Sequence, residues 1–485
     1  MNEAIKNLEP KAVWKNFADL NAVPRPSKKE ERVIAFMKEF GKRVKLETIE
    51  DEVGNVIIRK PATPGMEDRK AVVMQSHLDM VHQKNNDTQF DFDTQGIDMY
   101  VDGDWVRARG TTLGADNGLG VATIMAILES ESIEHPALEA LFTIDEETGM
   151  TGAMGLKGGL LQGDILLNLD TEEDDEIGVG CAGGVDITAT RTYDEVMSPS
   201  TAESWTISVK GLQGGHSGMD IHKGLGNANK LMNRLLYATR EYLHIHSIHG
   251  GSLRNAIPRE SEALVVIASE NEKDFRFAFN AQKEAILSEY KLLEPGLSIT
   301  FKAASASAEK VMDATHQEQL LRAVYAAHNG VYRMSPAIED LVETSNNIAK
   351  ITVAAGAIKI ECLTRSSVAS SKNDMANALK ATFELAGCDV QFSGSYPGWA
   401  PNMDSPILQV MDELYTKLNG EKAHVAACHA GLECGILGQH YPDMDMISFG
   451  PTIRGAHSPD ERASISSTQK FWEFVLAILK NIPKK

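Results

Sequence analysis

The apolar residues in the N-terminal part of the chain form short continuous runs separated by stretches with helical spacing. Residues 71–78, 137–144 and 163–169 are runs of the length of a buried strand, and residues 119–130 have the apolar period of a helix. Strands that alternate with helices predict an α/β fold with a mostly parallel sheet covered by helices. The same pattern resumes in residues 407–479, which predict a helix, two short strands and a closing helix.

Residues 11–43 predict two helices rather than one, because prolines interrupt the helical spacing. Pro24 and Pro26 lie between the two halves. Ser27, with Glu30 three positions later, is predicted to cap the second helix.

The pattern changes in residues 187–393, where two successive groups of elements show a related order. The first group is predicted as strands at 205–210 and 264–268 with helices near 224–243 and 275–290. The second group is predicted as strands at 348–353, 358–363 and 389–392 with a helix near 374–386. This repetition predicts an inserted α+β lid domain of two pseudo-repeated sheet-and-helix halves. Residues 1–186 and 394–485 then form one α/β domain that the insertion interrupts.

The charge of the chain excludes several classes of partner. Among 485 residues, 48 Lys and Arg stand against 68 Asp and Glu, which gives a net charge of −20. Such a charge repels phosphate backbones and anionic lipids, so neither nucleic acid nor a membrane is expected as a partner. No window approaches the ~20 apolar residues that span a bilayer, and residues 1–10 lack a signal-peptide core, which predicts a cytoplasmic protein. The five scattered cysteines predict free thiols.

Polar residues with metal-ligand chemistry follow the predicted strands of the α/β domain. They are His77 and Asp79, Asp116 in a glycine-rich loop, the pair Glu146 and Glu147, Asp170, and His457 near the C-terminus. Ends of neighbouring parallel strands lie ~5 Å apart, so these side chains can share one ion or two. Two imidazoles with carboxylates suit cations such as zinc, and a bridging carboxylate lets two ions hold an attacking hydroxide. Taken singly, each carboxylate is more typical of a solvated loop.

The adjacent Glu146 and Glu147 separate an enzyme from a metal store. Neighbouring residues past a strand point in different directions, so one can bind metal while the other acts as general base. Asp79 is placed to hydrogen-bond the far ring nitrogen of His77 and fix its ligating tautomer. The loop around Asp116 lacks the Gly-Lys-Ser/Thr ending of a phosphate-binding loop.

Six segments together resemble a known family, in order and along nearly the whole chain. They are Ser76-His77-Leu78-Asp79-Met80-Val81, Gly110-Thr111-Thr112-Leu113-Gly114-Ala115-Asp116-Asn117-Gly118, Asp145-Glu146-Glu147-Thr148-Gly149, Gly215-His216-Ser217-Gly218, Asn255-Ala256-Ile257-Pro258 and His457-Ser458-Pro459-Asp460-Glu461. The family is that of the bacterial cytosolic dipeptidases, within the two-zinc aminoacylase/carboxypeptidase metallopeptidase superfamily.

The resemblance implies two zinc ions per chain, for which Co²⁺ or Mn²⁺ can substitute. It implies one zinc on His77 and Asp170 and the other on Glu147 and His457, with Asp116 bridging them. It further implies Glu146 as general base, Asp79 in support of His77, and a cis peptide after Asp116. The α/β domain is then the catalytic zinc-binding domain. Asn117-Gly118 replaces the Met-Lys of many superfamily members, a change that the dipeptidases share.

Three residues of the lid are candidates for contact with substrate. The resemblance implies that His216 stabilises the oxyanion, although a surface histidine in a glycine loop is an alternative. Arg365 suits the C-terminal carboxylate of a substrate, with Asn255 assisting, because a guanidinium binds carboxylates in a two-point fork. An exposed salt bridge would explain Arg365 almost as well. In single-lid relatives the histidine comes from a partner subunit, and the doubled lid could instead supply it within one chain.

The sequence therefore predicts a dinuclear zinc dipeptidase that acts on small peptides, with broad specificity that includes Xaa-His. Two alternatives stay open: an N-acyl-amino-acid deacylase on the same site, and a non-catalytic metal-binding protein. Whether the chain forms a homodimer also stays open.

Overall fold

The computed structural model describes residues 2–305 and 307–485 and divides the chain into two compact units. Unit 1 comprises the residues up to Gly180 together with Trp399–Ala427 and Leu432–Lys485. Unit 2 comprises Cys181–Gly398 and Cys428–Gly431. The divisions thus fall at 180/181 and 398/399, where 186/187 and 393/394 are expected from the sequence. Four residues expected in the catalytic domain, 428–431, group with unit 2.

Eleven α-helices are present among the described residues. In chain order they are α1 Lys11–Leu20, α2 Glu31–Arg43, α3 Ala115–Glu129, α4 Thr151–Gly155, α5 Ala228–Thr239, α6 Glu272–Tyr290, α7 Ala314–Ala326, α8 Ala369–Leu385, α9 Pro406–Asn419, α10 Glu433–His440 and α11 Ile465–Lys480. None of them is long and apolar enough to cross a membrane.

The strands form sheets within each unit. In chain order they are β1 Glu47–Glu50, β2 Val56–Lys60, β3 Val72–His77, β4 Met99–Asp102, β5 Trp105–Ala108, β6 Leu138–Thr143, β7 Ile165–Asn168, β8 Glu176–Cys181, β9 Gly183–Thr192, β10 Glu195–Met197, β11 Ala202–Lys210, β12 Gly215–His216, β13 His244–Gly250, β14 Ala256–Ile257, β15 Ser261–Ala268, β16 Ser298–Ala303, β17 Lys310–Met312, β18 Gly330–Met334, β19 Val342–Ala354, β20 Ala357–Ser366, β21 Asp389–Tyr396, β22 His424–Cys428, β23 Asp445–Ser448, β24 Ile453–Arg454 and β25 Arg462–Ser464.

Unit 1 is built on an eight-stranded sheet with the order β1-β2-β6-β3-β7-β23-β8-β22. The four central strands, β6, β3, β7 and β23, pair in parallel, whereas β1, β2 and β8 add antiparallel pairs towards the edges. Every residue of β3 and β6 is buried, which explains why these strands read as continuous apolar runs. The predicted parallel arrangement therefore applies to the centre of the sheet, where the candidate ligands follow the strands.

The start of the second N-terminal helix differs from the prediction that Ser27 caps it. Helix α2 begins at Glu31, with Glu30 as its N-cap residue. The Ser27 hydroxyl instead donates to the carbonyl of Met80 at 3.2 Å, and the Ser27 N–H contacts the same oxygen at 3.3 Å. Ser27 is therefore used to tie the preceding loop to the segment after β3.

Unit 2 is built on one antiparallel nine-stranded sheet with the order β16-β11-β15-β13-β19-β20-β9-β21, to which β18 adds beside β19. The two halves meet at the antiparallel pair β13 and β19. The first half contains β11, α5, β13, β15, α6 and β16, and the second contains β9, α7, β19, β20, α8 and β21. Outward from the central pair, the first half has the strand order β13-β15-β11-β16 and the second has β19-β20-β9-β21. In chain order each half begins with its third strand, continues with its first and second strands, and ends with its fourth. The predicted pseudo-repeat is therefore present as a two-fold arrangement within one sheet.

Candidate active site

The candidate ligands of unit 1 meet at the carboxyl edge of its parallel strands. Strand β3 ends at His77, beside Thr143 of β6 on one side, and pairs with β7 on the other. Glu146 and Glu147 follow β6 closely, and Asp170 follows β7. Parallel pairing thus brings three loops from distant parts of the sequence to one edge of the sheet.

Asp116 reaches the same edge from the first turn of α3. Asp116 and Asn117 have non-helical backbone angles, and the peptide between them is cis, which confirms the prediction. The side-chain amide of Asn117 donates to the carbonyl of Leu169 at 2.7 Å and also contacts Asp170. The loop of Asp116 is thereby joined to the loop of Asp170.

The donor atoms form two groups that share Asp116, and in each group the atoms lie within 4.8 Å of one another. In the first, His77 Nε2 lies 3.2 Å from Asp116 Oδ1 and 3.5 Å from Asp170 Oδ1. In the second, His457 Nε2 lies 3.2 Å from Asp116 Oδ2 and 3.0 Å from Glu147 Oε2. Each carboxylate oxygen of Asp116 thus belongs to a different group.

These separations fit a pair of divalent cations. Two ligands about 2.0–2.1 Å from a tetrahedral zinc lie about 3.4 Å from each other, close to the separations seen in both groups. Glu147 Oε1 is buried and has no hydrogen-bond partner among the described residues. A buried carboxylate oxygen without a donor is costly, and a cation would satisfy it. The donor set, imidazole nitrogens with carboxylate oxygens, is one that zinc accepts.

Asp79 connects the first ligand to the two glutamates. Its Oδ1 lies 3.3 Å from His77 Nδ1, the ring nitrogen that faces away from Asp116. The same oxygen accepts the N–H of Glu146 at 3.0 Å, and Oδ2 accepts the N–H of Glu147 at 3.3 Å. The carboxylate is fully buried. Asp79 therefore contacts the backbone of both glutamates as well as His77, and the sequence alone did not indicate the contacts with the glutamates.

Burial and neighbouring charges shift the pKa values of the clustered side chains, upwards for some residues and downwards for others. Burial raises the pKa of Glu146 well above its ordinary value and that of Asp170 to about 6, with neighbouring carboxylates adding to each rise. Hydrogen bonds with Asp116 and Glu147 raise the pKa of His457 to about 11. Although burial opposes it, hydrogen bonding with His457 and His77 lowers the pKa of Asp116. The bridging position thus favours a charged carboxylate, and the Glu146 position favours a carboxyl that keeps a proton.

Unit 2 brings its three predicted residues close together through Ser217. His216 pairs with Ala256 across β12 and β14, and the N–H of Ser217 donates to the carbonyl of Asn255 at 2.8 Å. Arg365 Nε donates to Ser217 Oγ at 3.4 Å, and its Nη1 donates to the Tyr396 hydroxyl at 2.8 Å. Arg365 is buried, with no carboxylate within 4.0 Å in the described part of the chain. The alternative of an exposed salt bridge is therefore wrong.

Comparison with known proteins decides the family. The sequence profile described as Peptidase family M20/M25/M40 matches residues 73–481. The chain belongs to this peptidase family. It is 43% identical over 483 residues to the cytosol non-specific dipeptidase of Escherichia coli, with 99% of each chain covered. The fold and the enzyme class predicted from the sequence, a hydrolase of peptide bonds, are confirmed.

Comparison with solved structures agrees with this assignment. Aminoacylhistidine dipeptidase from Vibrio alginolyticus superposes with a TM-score of 0.92 and 44% identity, covering 99% of this chain and 98% of that one. The aminopeptidase PepT from Bacillus cereus shares only the fold, with a TM-score of 0.57, 15% identity and coverage of 98% and 99%. This M20 member thus resembles the two dipeptidases along its whole length.

Two buried residues near these clusters carried no signal in the sequence of this M20 member. In unit 1, Glu433 Oε2 accepts hydrogen bonds at 2.6 Å from Gln75 and Thr143, and burial raises the Glu433 pKa to about 8. In unit 2, His429 Nε2 lies 2.8 Å from Ser345 Oγ, and burial with the charge of Arg365 lowers its pKa to about 3. Glu433 lies between Gly431 and Gly435, a spacing that could have marked it, whereas His429 precedes this stretch.

Proposed function

We propose that the chain is a dinuclear metal-dependent dipeptidase that hydrolyses dipeptides of broad specificity, Xaa-His among them. The observation that carries the proposal is the pair of three-residue donor groups sharing Asp116, with Glu146 beside them. The similarity to the E. coli and V. alginolyticus dipeptidases supports the substrate class. We infer zinc as the resident metal, with Co²⁺ or Mn²⁺ as substitutes, and the cytoplasm as the location, as the name of the E. coli relative suggests.

His77, Asp116 and Asp170 would hold one ion, and Asp116, Glu147 and His457 the other. Bound there, the ions would polarise the scissile carbonyl and lower the pKa of an attacking water. Glu146 takes a proton from that water and passes it to the leaving amine. Asp79 accepts the N–H groups of Glu146 and Glu147. These hydrogen bonds fix the backbone of both residues, so that the side chain of the base and the side chain of the metal ligand point in different directions.

For unit 2, we propose that Arg365 and Asn255 bind the C-terminal carboxylate of the dipeptide and that His216 stabilises the oxyanion. Support for Arg365 comes from a buried guanidinium that two neutral hydroxyls contact and that has no carboxylate within 4.0 Å among the described residues. A guanidinium in that state is a strong site for a carboxylate.

The base assignment is tested by Glu146→Gln. The variant should bind two zinc ions but lose at least about 10²-fold in kcat on Ala-His, since general-base catalysis contributes 10²–10⁴-fold. Glu139→Gln is the matched control, because Glu139 is a buried glutamate that accepts the N–H groups of Gln162 and Gly163. Undiminished turnover of Glu146→Gln with full metal content would remove Glu146 from the mechanism.

The substrate class is tested by comparing Ala-His with acetyl-Ala-His. A dipeptidase should cleave the first and leave the second intact, whereas a deacylase should release acetate from the second. Zinc binding without hydrolysis of either would favour the non-catalytic alternative. Light scattering of the purified chain distinguishes a monomer from the homodimer that stays open as a partner.

A further inference from the structure

The loop that carries Asp116 is held from one side by a single buried carboxylate. Glu461 Oε2 accepts the N–H groups of Leu113 at 2.7 Å and Gly114 at 3.0 Å. Its Oε1 accepts the N–H groups of Ala115 at 2.7 Å and Asp116 at 3.3 Å. Four successive backbone donors thus converge on one side chain, which is 2% exposed.

A buried guanidinium holds the same loop through its carbonyl oxygen. Arg25 Nη2 donates to the carbonyl of Gly114 at 2.5 Å, and its Nη1 donates to the carbonyls of Leu78 and Asp79 at 3.0 Å each. Arg25 is 1% exposed. The loop of Asp116 and the segment that follows His77 are therefore bound to one cation.

The glycines of this loop provide the space for the guanidinium. A Cβ added at Gly114 or at Gly118 would lie 2.6 Å from Arg25 Nη2. Gly114 also has a φ of +70°, in the region that favours glycine. The contact between Arg25 and the loop thus depends on residues without side chains at both positions.

Each charged residue joins loops that carry ligands of one proposed ion. Arg25 connects the segment after His77 to the loop of Asp116, and both ligands belong to the group with Asp170. Glu461 lies four residues after His457 and connects that segment to the loop of Asp116, and both ligands belong to the group with Glu147. In the described residues, the hydrogen bonds of both charged groups to these loops go to the backbone rather than to a ligand side chain.

We propose that Arg25 and Glu461 are positioning residues for the two metal sites. Arg25 fixes the site of His77, Asp116 and Asp170, and Glu461 fixes the site of Asp116, Glu147 and His457. The proposal rests on the metal centre proposed above. Charge-assisted hydrogen bonds are stronger than neutral ones, and a neutral replacement would leave buried backbone groups unsatisfied, so the loops would lose their relative placement.

The test measures zinc binding to the metal-free protein by calorimetry. Glu461→Gln keeps the shape of the side chain but places an NH₂ group opposite two backbone N–H groups. Arg25→Lys keeps the positive charge but loses the planar guanidinium whose two terminal nitrogens donate to different carbonyl groups. Zinc affinity should fall roughly 10- to 100-fold, the range for residues that orient ligands. The His77→Ala and His457→Ala backgrounds assign the loss to a site. Glu461→Gln should weaken the site left in His77→Ala about tenfold more than the site left in His457→Ala, and Arg25→Lys should show the reverse.

Two substitutions of the same types, at a half-buried arginine and a buried glutamate, control for general effects of these changes. Arg69 donates to the carbonyl of Ile482 at 2.7 Å, and Glu139 accepts two backbone N–H groups, both in unit 1 but with no contact to the ligand loops among the described residues. Arg69→Lys and Glu139→Gln should leave both zinc affinities unchanged. Thermal unfolding of each metal-free variant separates loss of fold from loss of affinity. If Arg25→Lys does not fold, Arg25→Ala refolded with millimolar guanidinium should recover zinc affinity, whereas methylammonium should not restore it.

The outcomes separate this proposal from the one on which it rests. A wild-type chain that does not bind two zinc ions would contradict the metal centre itself. If the wild type binds two ions while both variants keep wild-type affinities, or lose affinity equally at both sites, the positioning roles are wrong and the metal centre stands.

Discussion

Replacing Asp79 with asparagine tests how the active site of unit 1 is organised. The carboxylate has contacts with two backbone N–H groups, those of Glu146 and Glu147, and lies beside the Nδ1 atom of His77. Asparagine has the same shape but only one oxygen, so it cannot accept from both sides. The substitution therefore removes an acceptor without creating a cavity.

The size of the effect follows from these contacts. With the amide oxygen in place of Oδ1, the amide nitrogen faces the N–H of Glu147, and an unsatisfied buried donor costs about 1–3 kcal/mol. The contacts to Glu146 and His77 change from charge-assisted to neutral, which costs about 1 kcal/mol each. We expect the total, about 3–5 kcal/mol, to be divided between folding and metal binding. Zinc affinity should fall 10- to 100-fold, which corresponds to about 1.4–2.7 kcal/mol.

Calorimetric zinc titration and urea unfolding of the metal-free protein measure the two parts. Asp51→Asn is the control, because Asp51 Oδ1 accepts the N–H groups of Val53, Gly54 and Asn55 in a turn of unit 1 with no metal ligand. The control should change stability slightly and zinc affinity not at all. If Asp79→Asn keeps wild-type zinc affinity and turnover, Asp79 does not position the ligands and the base.

Three further predictions concern pH, packing and metal removal. The pKa of His429 is about 3 in the folded chain and 6.5 ordinarily. Above pH 6.5 His429 is neutral in both states, and as the pH falls towards 3 the unfolded chain binds a proton there that the folded chain does not. The free energy of unfolding therefore decreases over this range. Urea unfolding should therefore show a loss from pH 7 to pH 5 about 2 kcal/mol larger in the wild type than in His429→Gln. A Cβ at Gly450 would lie 1.9 Å from the Thr171 carbonyl, whereas Gly158 has nothing closer than 3.5 Å. Gly450→Ala should thus cost roughly 3 kcal/mol in unfolding free energy and Gly158→Ala little, and equal costs would contradict the packing. Chelation with EDTA should abolish dipeptide hydrolysis and lower the melting temperature, and added Zn²⁺ or Co²⁺ should restore both; activity that survives complete metal removal would refute the metal centre.

The clustering of the candidate ligands was predictable because it follows from local sequence and one rule of topology. His77, Glu147 and Asp170 each come shortly after an apolar run, and parallel pairing takes the ends of such runs to one edge of a sheet. Asp116 and His457 follow no apolar run. Both were candidates because of their residue type, and the roles assigned to them rested on the resemblance of their segments to a family. The cis peptide after Asp116 was predicted on the same basis.

The buried residues that contact the backbone of the candidate ligand loops could not be predicted in this way. Arg25 lies between two prolines and looks like part of a chain break. Apart from the side chain of Asn21, its hydrogen-bond partners are backbone carbonyl oxygens 53 to 89 positions away. A pattern of side chains contains no information about backbone partners, so the sequence does not indicate the contacts that Arg25 and Glu461 make with the candidate ligand loops. The Ser27 cap failed for a related reason, since its hydroxyl bonds a distant carbonyl. Local patterns thus indicate which residues carry chemistry, whereas the contacts that orient them depend on the folded chain.

The balance of charge in unit 1 connects these observations. Buried or nearly buried carboxylates surround the strand edge, namely Asp79, Asp116, Glu147, Asp170, Glu433 and Glu461. Arg25 supplies one positive charge among them, and His457, whose pKa is about 11 in the metal-free chain, supplies another. Burying carboxylates without compensation costs several kcal/mol each. The raised pKa of Glu433, about 8, removes one negative charge at neutral pH, and two divalent cations would supply four positive charges. The carboxylates that would bind the ions therefore repel one another in the metal-free chain, so metal binding and the stability of unit 1 are expected to be linked.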